Sequence, residues 1–252
     1  MILTLARYTL IEALRNRLLW LSMLGLFAGT GLSIFLGQIA ITDSIRVGLG
    51  VEAALFRIFA VFSICIFVLS GMLREYHDKG LEFLLAMDMS RSTYFFGKFL
   101  GYAGCALLLA LLYSAPLLYG GGFAAVLAWG ISLFLELSLM VAVSLFFSLA
   151  LTQMPSALAA VAGFYLISRS MGTLLLIMNG PLASRNFAGN LLDATLLGVG
   201  WFLPRLDAFT RTSWLLHVRP TLHDLRVVFV QSAIYLVLIS SAALYDFYRK
   251  SL

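Results

Sequence analysis

The chain has 252 residues, of which 62% are hydrophobic and only 12% charged, and its mean hydropathy is +0.98. A soluble domain is about half apolar and about a quarter charged, so this composition excludes a water-soluble globule and places the chain in lipid. The net charge of +5 is small and scattered, and without a clustered basic face it excludes a nucleic-acid binder.

Residues 1–17 form the first element. Ile2, Leu3, Leu5, Leu10 and Ile11 are apolar, while Arg7, Glu12, Arg15 and Arg17 are charged. This pattern predicts a helix lying in the membrane interface with its basic side chains among headgroups. The alternative is a plain basic flank to the first span. No cleavable signal peptide is expected, because the first apolar run starts after these charges and is too long for a signal core.

A membrane span needs about 20 mostly apolar residues. Six segments qualify: 18–41, 53–73 with Arg57 near its start, 97–119, 123–151, 156–178 and 227–245. Backbone groups in hydrocarbon must bond internally, and nothing in the chain alternates like a barrel strand, so the spans are predicted as helices. There is no internal repeat. The expected fold class is an all-α integral membrane protein forming one domain, residues 1–252.

The connections differ in character. Residues 71–101 carry Arg74, Glu75, His77, Asp78, Lys79, Glu82, Asp88, Arg91 and Lys98 between two apolar runs. Within them Leu81, Phe83, Leu84, Leu85, Met87 and Met89 make an apolar segment too short to span. It reads as a short helix on the inner membrane face, available to a soluble partner. Spans four and five are joined by a tight hairpin at 152–155. Residues 179–226 hold Pro181, Pro204, Pro220, Trp201 and Trp214, with an apolar stretch at 191–203 broken by Gly198 and Gly200. Short helices or re-entrant turns at the outer interface are expected there, with tryptophans at headgroup level.

Lysine and arginine set the expected orientation. With the N-terminus inside, the cytoplasmic side holds Arg7, Arg15, Arg17, Arg74, Lys79, Arg91, Lys98, Arg249 and Lys250, and the short outer connections and span ends hold only Arg46 and Arg57. Both termini are therefore expected in the cytoplasm. Arg185, Arg205, Arg211, Arg219 and Arg226 run against this rule, but they lie in a longer loop, where it is weaker.

Two ionisable residues fall deep within spans: Glu136 in the fourth and Arg169 in the fifth. A charge at such depth costs several kcal/mol unless paired or hydrated, about 3 kcal/mol even on the lowest scales. They form either a structural ion pair between adjacent antiparallel spans or part of a polar transport path. Other chemistry is missing. There is no phosphate-binding loop, since Gly97-Lys98 is followed by Phe99 and lacks the Mg²⁺-binding hydroxyl. There is no zinc-protease motif, no nucleophile elbow and no metal-spaced Cys/His cluster. His217, His223 and Asp224 read as solvated or interfacial loop residues. Cys65 and Cys105 both lie in apolar runs and behave as small hydrophobes.

The pattern Glu75, Gly80, Leu81-Glu82-Phe83-Leu84-Leu85, Ser90-Arg91, Gly97-Lys98 resembles that of ABC-2-type transporter membrane subunits. The run Leu203-Pro204-Arg205-Leu206-Asp207 is similar to a segment of the NosY-like permeases within that family. The resemblance covers the whole chain. It implies an ABC-2, type V exporter-like architecture: an interfacial helix at 1–17, six spans, a cytoplasmic coupling loop at 74–96 and an extracytoplasmic loop at 179–226. It also implies a multi-pass subunit of the cell inner (cytoplasmic) membrane that pairs with a second permease subunit, identical or similar. Separate ABC ATPase subunits would carry ATP and Mg²⁺, while this chain would bind no cofactor or metal and would not itself be an enzyme. Arg74, Glu75, Gly80, Leu81, Glu82, Leu84, Leu85 and Arg91 would couple it to the ATPase. Substrates of such exporters are lipids, glycolipids, drugs, peptides or polysaccharides. The competing reading is a channel or an assembly factor without ATP-driven transport.

Overall fold

The computed structural model describes residues 2–15, 18–39, 43–78, 90–151, 153–178, 198, 200, 203–216 and 220–249. Its main elements are α1 (Ile2–Arg15), α2 (Leu18–Ile39), α3 (Ser44–His77), α4 (Arg91–Leu117), α5 (Phe123–Ala150), α6 (Met154–Met178), a 3₁₀ turn (Leu206–Ala208), α7 (Ser213–Leu216) and α8 (Leu222–Arg249). No strand occurs among the described residues. α2, α3, α4, α5, α6 and α8 are each long and apolar enough to cross a membrane, as expected of a multi-pass membrane protein.

α5 is the axis of the bundle. It is apolar on nearly every side, and past its exposed first turns, with Phe123, Leu127 and Ile131 outward, it is mostly buried. It packs against α3, α4, α6 and α8, and Trp129, Leu133, Leu137, Leu139, Met140 and Leu145 along it are wholly buried. Around it, α2 lies on α3 through glycines. A Cβ at Gly25 would stand 2.9 Å from the Phe59 ring, and one at Gly29 2.8 Å from the Phe56 ring. Small residues let helix backbones approach closely, which is the main source of packing energy between helices in lipid. Tyr113 of α4 completes this layer, with its ring 5.2 Å from that of Phe56 and its hydroxyl donating to the Ser22 carbonyl at 3.1 Å.

α1 is a helix apart from the spans, lying along α4. Its inward face, Leu5, Ala6, Thr9 and Ala13, meets a glycine groove. A Cβ at Gly101 would stand 2.6 Å from Thr9 Cβ, and one at Gly104 3.1 Å from Leu10 Cδ1. Its outward face leaves Leu3, Arg7, Tyr8, Ile11 and Arg15 exposed. The division differs from the one read from the sequence, since Ile2, Leu3 and Ile11 lie exposed with Arg7 and Arg15 while only Leu5 and Leu10 of the apolar set turn inward.

Two helices are longer than their apolar runs. α3 begins at Ser44, ahead of residue 53, and its 34 residues measure about 50 Å against about 30 Å of hydrocarbon. Its early turns are held to α2 by side chains: Thr30 donates to Glu52 at 3.1 Å and Ser33 donates to the Gly48 carbonyl at 2.8 Å. α4 begins at Arg91 because Ser90 caps it, its hydroxyl accepting from the Thr93 amide at 3.2 Å. Residues 74–77 and 91–96 of the charged stretch therefore continue spans as helix. Gly80, Leu81, Glu82, Leu84 and Leu85 lie outside the described residues.

Candidate functional site

Two polar clusters stand at different levels of the bundle. The first joins the C-terminal end of α3 to the start of α4, on either side of residues 79–89. Glu75, on the last turns of α3, accepts from the Tyr94 hydroxyl at 2.7 Å and pairs with the Lys98 ammonium. Tyr94 and Lys98 are a turn apart on α4, so both reach the same carboxylate. The Lys98 side chain is 5% exposed and that of Glu75 23%. Burying an ammonium is costly unless such a partner offsets the lost hydration. Next to Lys98 in the chain, Gly97 admits Leu5 of α1.

The neighbouring charges are also engaged within the chain. Arg74 pairs with Glu12 of α1. Arg91 donates to the Phe247 and Tyr248 carbonyls at the end of α8, and its guanidinium lies 5.5 Å from the Phe247 ring centre. Those carbonyls belong to the last turn of α8, where helical partners run out. Three of the residues singled out for coupling, Arg74, Glu75 and Arg91, thus tie α1, α3, α4 and α8 together at one end of the bundle.

The second cluster surrounds Glu136, half-way along α5 and fully buried. Arg169 of α6 lies 3.8 Å from Glu136 Oε1, so the two intramembrane charges do meet. Most of their hydrogen bonding, however, goes to a third element. Residues 203–212 fold back into the bundle as a strap, with Leu206, Phe209 and Thr210 wholly buried. Arg169 donates to the Leu206 carbonyl and, at 3.0 Å, to that of Phe209. The Thr210 hydroxyl donates to Glu136 Oε2. The Thr210 amide donates to Ser132 Oγ at 2.9 Å, and its carbonyl accepts from Arg57 Nη1 at 3.2 Å. Tyr165 adds a longer bond to Glu136 Oε1, 3.3 Å.

The physical reason lies in the strap's backbone. Its one 3₁₀ turn bonds only a few of its peptide groups internally, and at membrane depth such backbone survives only when buried in protein that satisfies the rest. Thr210 also sits at φ +42°, in the left-handed region that a β-branched residue rarely adopts. Holding it there costs about 1–3 kcal/mol, which the surrounding bonds must offset. Gly172 of α6 completes the seat, since a side chain there would collide with Asp207.

Sequence reasoning placed Glu136 and Arg169 together and missed Arg57, Ser132, Tyr165 and Thr210. Arg57 was read as an outer-end residue. In the structure it lies about 20 Å along α3 and reaches the strap. An arginine within an apolar run was the available signal. Thr210 gave none, because its role depends on a backbone turn.

At the start of α8 the Asp224 carboxylate accepts from the Thr221 amide at 3.1 Å, and the Thr221 hydroxyl oxygen accepts from the Asp224 amide at 3.3 Å. This is a capping box, which engages Asp224 structurally. His217 lies outside the described residues, and among those described no group of three His, Cys, Asp or Glu is placed to hold a metal ion. Cys65 and Cys105 are buried and free. No protein-family model matches the chain, and no curated protein matches its sequence.

Proposed function

We propose that this chain is the membrane-spanning subunit of an ABC-2-type exporter in the cytoplasmic membrane. It works with a second permease subunit and is driven by ATPase subunits on separate chains, which carry ATP and Mg²⁺. The observation that carries this reading is the joining of Glu75 to Lys98. Both belong to the motif that resembles the family, and they clasp the two helices on either side of residues 79–89. A motor outside the membrane acts on the spans only through an element rigidly continuous with them, and a buried ion pair braced by Tyr94 supplies that continuity. Glu136 and Arg169 are committed to the strap, which counts against a pore lined by them.

In this reading Leu81, Leu84 and Leu85 contact a groove in the ATPase and Glu82 orients it, charge pattern setting partner choice more than affinity. Arg74, Glu75 and Arg91 anchor the ends of that segment. The test is a chain carrying Glu82→Ala and Leu85→Asp together, changes that leave all three anchors in place. The expected result is loss of ATPase co-purification and of stimulated ATP turnover. A variant that folds, retains the ATPase and still couples shows that the motor docks elsewhere or does not exist.

The proposed orientation puts both termini in the cytoplasm and residues 179–226 outside. Ser184→Cys and Ser251→Cys, made separately, test it with a membrane-impermeant thiol reagent. Intact cells are expected to label the first and protect the second; the opposite pattern inverts the topology.

A further inference from the structure

A groove of about 400 Å³ runs between α1 and the C-terminal end of α3, lined by Tyr8, Ile11, Glu12, Arg15 and Arg74. That volume lies within the range of small-molecule sites, roughly 300–1,000 Å³. Its charge does not balance. Glu12 pairs with Arg74, and among the described residues no carboxylate pairs with Arg15. Two guanidiniums therefore face one carboxylate, which favours an anion.

The setting narrows the anion. α1 turns Leu3, Tyr8 and Ile11 outward, 80%, 68% and 39% exposed, beside Arg7 and Arg15. A helix with its inner face on the bundle and such an outer face lies at the boundary between headgroups and acyl chains. The groove's lining combines two guanidiniums with an isoleucine and a phenol ring. One amphiphile meets both demands.

We propose that this groove binds the headgroup of an anionic phospholipid. Its phosphodiester oxygens accept from the Arg15 and Arg74 guanidiniums, which match phosphate geometry. The Tyr8 hydroxyl lies within the same wall, and the first methylenes of the acyl chains run over Ile11. The bound lipid would lock α1 against α3 at the level of the Glu75–Lys98 clasp. The proposal stands apart from the transporter reading, since it needs neither an ATPase nor transport.

The test uses the full chain in mild detergent, titrated with phosphatidylglycerol and phosphatidylcholine of identical acyl chains and read by native mass spectrometry. The wild type is expected to hold phosphatidylglycerol in preference. Arg15→Gln breaks no ion pair among the described residues, and is expected to weaken phosphatidylglycerol binding about fivefold, the value of one basic residue at an anionic surface. Arg15→Lys is expected to keep most of the preference. Adding Arg74→Gln to Arg15→Gln removes it, while phosphatidylcholine binding stays unchanged throughout. Thermal unfolding of Arg15→Gln at the wild-type temperature shows that the fold is intact. Equal retention of both lipids by the wild type overturns the proposal, and so does an unaltered preference in Arg15→Gln. Variants that keep the lipid preference but lose a co-purifying protein give the groove to that protein and overturn it equally.

Discussion

Glu75→Leu is expected to destabilise the protein by about 3–5 kcal/mol, the range for removing one partner of a buried ion pair. The loss should exceed that of Lys98→Met, and the reason is the unequal burial of the two side chains. Without Glu75, the Lys98 ammonium is left 5% exposed without that carboxylate, and it must pull out of its site toward water. Without Lys98, the Glu75 carboxylate keeps the Tyr94 hydroxyl and is 23% exposed, enough for water to complete its shell. That variant should cost about 1–3 kcal/mol. Thermal unfolding of the two variants in one detergent ranks them. Equal losses, or a larger loss for Lys98→Met, would mean that the lysine is hydrated and that the clasp is not a buried pair.

The strap makes the second large effect. Glu136→Gln removes the only carboxylate near Arg169 that is itself fully buried, and Arg169→Gln removes the donor to the Leu206 and Phe209 carbonyls. Each single change is expected to lower stability by about 2–4 kcal/mol, as for a buried charge or carbonyl left without its partner. The double variant should lose less than the sum, by about 1–2 kcal/mol, because the groups share one network. Limited proteolysis near residues 203–212 should speed up in all three, since the strap loses its seat. Strict additivity would refute a contact between the two charges. Unchanged proteolysis would show that the strap is held by its apolar residues, Leu206 and Phe209, alone.

The apolar helices were legible from composition because lipid is a simple solvent. It demands about 20 apolar residues per crossing and internal bonding of every peptide group, and both demands are written locally. The helix of α1 was legible for the same reason, as was the tight turn between α5 and α6, but which of its apolar residues turn inward was not, since Leu3 and Ile11 stay exposed. Boundaries were less so. The apolar run was read from residue 53, just past Glu52, yet α3 starts at Ser44 and carries Glu52 and Arg57 alike, because Thr30 receives one and the strap the other. The strap itself was foreseen only as some re-entrant turn.

What the sequence determined by itself was the set of spanning helices and the two charges deep within them, Glu136 and Arg169; it put Lys98 in water and Arg57 at a span end, where the structure buries the first and carries the second to the strap. Which groups those charges serve was decided only by the tertiary structure. Arg57 and Thr210 are 153 residues apart, and Glu75 and Lys98 are separated by a charged segment. Hydrophobic periodicity reports which face of a helix is apolar and carries no information about what stands opposite it. Thr210 in particular becomes a hub because a non-helical turn at membrane depth exposes an amide, a carbonyl and a hydroxyl at one point. Only the packing of α3, α5 and α6 around that turn brings Arg57, Ser132 and Glu136 within reach of all three.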